Sequence, residues 1–311
     1  MTRPLLIALV GCGSWGVHIL RDLKTLGANV IVVARSPGTY GRAKTHGADR
    51  IVACIEALPM AIDGAVVATR SDSHSDVILQ LARFAIPIFV EKPLGVTLEA
   101  CHDVTRACPN RVFVMEKWRY HPGVEKMKEL ADQGRLGRIL GISTVRVGWS
   151  MIHSELDAVW HLLPHDLSIV DHVLSFLPKP VASFGDPLGS PGSGMLAFLG
   201  AGPEPRISIH VSSNHPANRR SIVVSGSEGV ISLSGSYDEA LALKVGQPSA
   251  RDAREERLPI SSRLPLLAEL ERFLGYLRGG PAPLAPAEDS IPMVAAILEL
   301  RQLAGLDQQG V

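Results

Sequence analysis

Over its first 120 residues the chain alternates short apolar runs with longer stretches of mixed polarity. The runs at 5–10, 30–34, 51–52, 65–68, 86–90 and 112–115 are short and apolar throughout, as strands buried on both faces are. Between most of them lie segments of helical character, such as 17–26, 76–85 and 98–107. This alternation predicts a parallel, doubly wound α/β sheet. From residue 121 the pattern changes. Residues 121–132 read as a helix, 139–149 alternate as one long strand, and 156–176 hold another helix. After Pro178 come strand-like runs at 194–199, 207–213, 222–224 and 230–233, divided by Gly, Pro and Ser turns. Such a series predicts a mainly antiparallel sheet. Two helices, 265–278 and 290–304, complete the pattern. The expectation is a doubly wound domain over 1–120, then an α+β domain over 121–311 with a large open sheet.

Composition narrows the class. The 311 residues carry 31 basic and 31 acidic side chains, so neither a nucleic acid nor an anionic membrane surface is an expected partner. No apolar run approaches the ~20 residues of a membrane span. The N-terminus enters a strand without the apolar core and cleavage site of a signal peptide, which points to the cytoplasm. The four cysteines (Cys12, Cys54, Cys101, Cys108) form no CxxC pair and read as reduced thiols.

Two segments carry the chemistry. The first, Gly11-Cys12-Gly13-Ser14-Trp15-Gly16, stands between the first strand-like run and the first helical segment. In that context Gly11 permits a tight turn, Gly13 lets backbone approach a pyrophosphate, and Gly16 lets helix and strand pack closely. The helix start then offers its free N–H groups to phosphate. The second, Glu91-Lys92-Pro93-Leu94, follows the run 86–90 and puts a lysine where α/β sheets bind ligands. Together they predict a Rossmann-type nicotinamide enzyme in which Lys92 moves a proton. After the second strand, Ala34 stands where NAD sites usually hold Asp or Glu, followed by Arg35 and Ser36. Those two suit a 2′-phosphate, with Arg42 a second positive charge, so NADP is favoured over NAD.

These motifs resemble the glucose–fructose oxidoreductase, inositol dehydrogenase and rhizopine catabolism family (Gfo/Idh/MocA). The resemblance runs nearly end to end. It takes in the glycine loop, Ala68-Thr69 with His74, Glu91-Lys92-Pro93-Leu94 and Arg119-Tyr120-His121-Pro122. Further along it includes Pro164-His165-Asp166-Leu167-Ser168, residues 219–226, 269–273 and Glu288-Asp289. It implies hydride transfer between nicotinamide and a secondary alcohol or ketone of a sugar, sugar nucleotide or cyclitol. The segments around His165 and Arg219 look most like branches acting on nucleotide-linked sugars.

The resemblance also implies roles. Lys92, His165 and His161 are the catalytic set, and Lys92, Arg119, Tyr120, His161 and His165 border the substrate. Cofactor contacts fall to Gly11, Gly13, Ser14, Trp15, Gly16, Arg35, Ser36, Thr69, His74, Glu91, Lys92 and Pro93. Arg219 or Arg220 would reach a substrate phosphate, whereas Trp118 and Trp160 read as packing residues. His161 departs from the family pattern, which has Asp one helical turn before the histidine. Without that carboxylate, His161 relays the proton, or Lys92 and His165 act alone, or the site is degenerate. His161 and His165 also have metal-ligand spacing, but a third ligand would have to come from Asp157 or His153, and no metal is expected. A homodimer or homotetramer is expected through the open sheet. Two rival readings stand beside the main one: a catalytically weak dinucleotide sensor, and a reductase of a non-sugar substrate on the same scaffold.

Overall fold

The computed structural model describes residues 3–149, 156–246 and 254–306. The chain divides into two compact units, 1–117 with 264–294, and 118–263 with 295–311.

In the first unit the order is β1 (Leu6–Val10), α1 (Gly16–Thr25), β2 (Asn29–Val33), α2 (Pro37–Thr45), β3 (Arg50–Val52) and β4 (Gly64–Val67). It continues through α3 (His74–Leu81), β5 (Ile88–Glu91), α4 (Leu98–Ala107) and β6 (Val112–Met115). The six strands form a parallel sheet in the order β3-β2-β1-β4-β5-β6. That is the doubly wound order of a dinucleotide fold, and its direction reverses between β1 and β4. The predicted strands at 5–10, 30–34, 51–52, 65–68, 86–90 and 112–115 each fall within two residues of these. All four residues of β4 and of β6 are buried, which is why the sequence shows unbroken apolar runs rather than alternation. Helix α2 is short of apolar residues, burying only Ala43, and is defined by its start: Ser36 accepts from Thr39 N and Pro37 opens the first turn.

The second unit begins with α5 (Pro122–Asp132), β7 (Ile139–Trp149) and α6 (Ala158–Leu174). Then follow β8 (Pro180–Gly185), β9 (Gly194–Leu199), β10 (Arg206–Ser212), β11 (Asn214–Gly226), β12 (Gly229–Leu233), β13 (Ala240–Val245) and β14 (Arg254–Pro259). They make an eight-stranded sheet, β14-β13-β12-β11-β7-β10-β9-β8, with β7 and β10 parallel and every other pair antiparallel. One face is core, through Ile142, Ala197, Ile209, Val224, Ile231 and Leu243. The opposite face stays open and carries Phe184 and Phe198, 60% and 39% exposed. Strands β8, β13 and β14 were not singled out from sequence. β14 is an edge strand reading Arg-Glu-Glu-Arg-Leu-Pro, so its apolar signal is weak.

The last helices are α7 (Pro265–Tyr276) and α8 (Ser290–Leu303). The boundary expected at residue 121, with everything beyond it in one domain, differs from the observed division. Segment 264–294 belongs with the first unit. The reason is packing: Leu266, Leu270, Phe273 and Leu274 of α7 join the core of that unit. Phe273 stacks on Phe89 of β5 with ring centroids 5.0 Å apart. Burying each such side chain contributes roughly 1.5–3 kcal/mol.

Candidate active site

The glycine loop leaves β1 at the point where the sheet reverses, the place at which open α/β sheets bind ligands. Gly11 has φ +95°, and a Cβ there would lie 2.5 Å from the Ala68 carbonyl oxygen. A Cβ on Gly16 would lie 2.6 Å from the Gly11 oxygen. Both positions therefore require glycine on steric grounds. Gly13 is different. A Cβ there meets nothing within 4 Å, so the loop keeps open space beside its middle residue. The first turn of α1 holds no acidic side chain, and Trp15 caps it without a side-chain hydrogen bond. This cradle fits a pyrophosphate: free space at Gly13, and a helix start with no competing carboxylate.

Trp15 reaches across the sheet end. Its indole N–H donates to Glu91, the residue before Lys92. The Lys117 ammonium lies over the indole ring, 4.5 Å from its centroid. Burial raises the Glu91 carboxyl above its ordinary value, opposed by Lys92, Lys117 and the Trp15 bond.

His74 is buried, 1% exposed, at the start of α3. Its Nδ1 lies 2.7 Å from the Pro93 oxygen and its Nε2 3.3 Å from the Thr69 oxygen. Burial pushes the imidazole below its usual pKa although both carbonyls favour the charged ring. The neutral ring therefore donates from Nδ1 to Pro93, the shorter contact. Lys92 itself is half-buried. His74 thereby holds the backbone that follows Lys92. Thr69 is half-buried and its hydroxyl accepts from Ser73 at 3.0 Å.

Beyond β2, Ala34 is buried and Arg35 and Ser36 are exposed. The Ser36 hydroxyl is engaged with Thr39 in the capping box of α2. Arg42 Nε donates to the Cys12 oxygen at 2.9 Å, which ties α2 to the glycine loop. Cys12 is buried, and burial pushes its thiol up.

In the second unit, α6 starts where Asp157 accepts from Trp160 N at 3.1 Å and pairs with Arg301 at 2.6 Å. Asp157 is thereby committed to cap and ion pair, and His153 lies outside the described residues. His161 and His165, one turn apart, are both half-buried. Next to His165, Asp166 accepts Arg146 Nε at 2.6 Å, with side-chain exposures of 1% and 5%. The Arg146 guanidinium stacks 4.4 Å over Trp118, which stacks in turn on His121 at 5.0 Å. His121 Nδ1 accepts from Gly123 N, so its Nε2 carries the proton donated to the Ser236 oxygen at 3.0 Å.

Arg119 and Tyr120, expected against the substrate, are 3% and 5% exposed. Arg119 instead clamps α6, donating to Ser168 at 3.1 Å and Asp171 at 2.8 Å. A guanidinium buried this deeply is stable only with such acceptors. Arg220 is half-buried and donates to the Val147 oxygen at 2.7 Å, while Arg219 is exposed. Trp118 and Trp160 are buried packing residues, 7% and 1% exposed. Sequence reasoning missed Glu116 and Lys117 and gave Glu269 no role. Glu269 left one legible sign, a charge on the apolar face formed by Leu266, Leu270 and Phe273.

Residues 5–115 match the model of the "Oxidoreductase family, NAD-binding Rossmann fold", which is the Gfo/Idh/MocA family. An inositol 2-dehydrogenase 2 from Saccharopolyspora erythraea is 32% identical over 149 residues. That match takes in 45% of this chain and 44% of the relative, so the chain spans less than half of the relative's length. Among solved structures, a levoglucosan dehydrogenase in complex with NADH and levoglucosan aligns with TM-score 0.84 and 15% identity, covering 97% of this chain and 98% of that one. A UDP-N-acetylglucosamine 3-dehydrogenase from Acidithiobacillus ferrooxidans aligns with TM-score 0.83 and 17% identity, with the same coverage. At such identities the two structures establish the fold.

Proposed function

We propose that the protein is an NAD(P)-dependent oxidoreductase acting on a secondary alcohol or ketone of a sugar, sugar nucleotide or cyclitol. The observation that carries this reading is the joining of three features in one unit: open space at Gly13, the glycine loop at the sheet reversal, and the Trp15–Glu91 bond. The bond runs to the residue before Lys92. When bound, the nicotinamide ring supplies or accepts the hydride. Lys92 moves the hydroxyl proton, which requires an amine held at a fixed place and able to lose its charge. His74, through Pro93, and Glu91, through Trp15, hold the segment that carries Lys92. In the second unit, His165 is assigned the assisting proton transfer, and His161 takes the position where the family has an aspartate. Arg119 supports the site by fixing α6 through Ser168 and Asp171.

NADP is the favoured cofactor, because Ala34 leaves no carboxylate for the ribose and Arg35 and Arg42 flank the loop. Nucleotide-linked sugars are supported by the likeness to a UDP-sugar dehydrogenase, with Arg219 and Arg220 available to a phosphate. Self-association through the open face of the eight-stranded sheet is supported by Phe184 and Phe198, exposed apolar side chains of the kind oligomers cover. Among the described residues no helix is long and apolar enough to cross a membrane.

Calorimetric titration with NADPH and NADH tests the reading. The parent should bind at least one, and Gly13→Val should bind neither, because its side chain fills the space at the loop. Unchanged binding by the Gly13→Val protein would remove the basis for the assignment.

A further inference from the structure

Helix α7 presents one charged side chain to the sheet it covers. Phe273 stacks on Phe89. One helical turn back from Phe273 stands Glu269, and two residues on from Phe89, on the same face of β5, stands Glu91. The aromatic pair therefore sets a register that brings two carboxyl groups face to face. Glu269 is 0% exposed, and neither of its oxygens has a hydrogen-bond partner among the described residues. Glu91 has the Trp15 indole as donor and feels Lys92 and Lys117. Of the two, Glu91 is equipped to carry a negative charge and Glu269 is not.

We propose that Glu269 is a positioning residue that holds a proton beside Glu91, the partner of Trp15 in the glycine loop, so that no further negative charge opposes an anionic cofactor there. The proposal rests on the dinucleotide reading of that loop. Glu91, Glu116 and Lys117 lie near enough to act on Glu269, and Lys92 and Lys117 act on Glu91. Ionising Glu269 adds a negative charge next to Glu91, one contact away from the glycine loop. Every element packed on α7 enters this balance. β5 contributes Glu91 and, just beyond it, Lys92. The segment after β6 contributes Glu116 and Lys117. α1 contributes Asp22, which is paired with Arg21 at 2.7 Å. Burial raises the Glu269 carboxyl well above its usual range, and Glu91 and Glu116 push it the same way against Lys117. The folded chain consequently holds a proton that the unfolded chain releases. Stability from this group is complete below the ordinary carboxylate range and declines as pH rises toward the folded value.

The test compares the parent with Glu269→Gln, which has the same shape without an ionisable proton. As pH rises and the extra charge appears, calorimetric affinity of the parent for its preferred dinucleotide should fall about tenfold, while the variant's stays level. Thermal unfolding should show the variant gaining on the parent as pH rises. An infrared difference spectrum at neutral pH should show a protonated-carboxyl band in the parent that Glu269→Gln lacks, a readout independent of cofactor. Parallel pH profiles for the two proteins, or the absence of that band, would overturn the proposal while leaving the dinucleotide reading intact. A parent that binds neither NADH nor NADPH at any pH would overturn both.

Discussion

The His74 imidazole donates from Nδ1 to the Pro93 carbonyl at 2.7 Å, so the first turn of α3 holds the residue that follows Lys92. A buried donor and acceptor matched in this way fix the backbone more firmly than either would alone. His74→Ala removes the donor and leaves a cavity beside the Lys92 segment. Turnover should drop about ten- to a hundredfold, the scale expected when a reacting group is misplaced by about an ångström. Dinucleotide affinity should change much less, since the contact that is lost holds the Lys92 segment. Steady-state kinetics set against direct cofactor titration separates the two, and equal losses in both would contradict a positioning role.

Lys92→Met keeps side-chain length and removes the amine. Cofactor binding should survive while turnover falls by about two to four orders of magnitude, the usual contribution of a placed acid or base. His165→Asn should lower turnover less. His161→Asp restores the carboxylate that the family pattern has at that turn, and an acid beside His165 should raise the imidazole's pKa and the rate. Near-parent turnover by Lys92→Met on a verified substrate would end the proposed mechanism.

Arg35→Ala should weaken NADPH selectively, and Arg42→Ala should do so while also loosening the loop it ties through Cys12. A charge-assisted hydrogen bond to phosphate contributes roughly 1.5–3 kcal/mol, or about ten- to a hundredfold in affinity. Fluorescence titration with both cofactors reads the difference. A parent that prefers NADH would refute the NADP assignment.

The Arg146–Asp166 pair lies almost wholly out of water next to His165. Asp166→Asn leaves the guanidinium buried without its counter-charge and should cost about 3–5 kcal/mol in urea unfolding. The paired change Arg146→Met with Asp166→Leu should recover most of that, because two buried charges leave together. A single change costing less than about 1 kcal/mol would show that the pair is solvated in solution.

Burial, helped by Arg119 and Lys128, lowers the His172 pKa from 6.5 to about 4. The folded chain thus keeps this ring neutral where the unfolded chain would protonate it. Its contribution to stability is complete above the unfolded value of 6.5 and is lost as pH falls toward 4. Thermal unfolding across that window should show a decline in the parent that is smaller in His172→Gln. Identical curves would place the acid sensitivity elsewhere.

The parallel sheet was legible because strands such as β4 and β6, buried on both faces, can only be written as unbroken apolar runs. The glycine loop was legible because Gly11 and Gly16 answer to local sterics, visible as glycine at fixed spacing. Lys92 stood out through its place at a strand end. The mainly antiparallel character of the second sheet was likewise carried by the series of strand-like runs divided by Gly, Pro and Ser turns. Other features depend on contacts between residues far apart in the chain, and no local pattern encodes those. Segment 264–294 joins the first unit because Phe273 finds Phe89, a partner 184 residues away. Only the fold brings Arg119 to Asp171 and makes it a clamp on α6. Only the fold sets the His74 ring between the Pro93 and Thr69 carbonyls. The charge of Glu269 carries meaning only beside Glu91, which the aromatic stack places opposite it. Sequence determined which residues can turn, bury and titrate; tertiary structure decided which of them meet, because pairing energies arise only where folding brings groups together and excludes water.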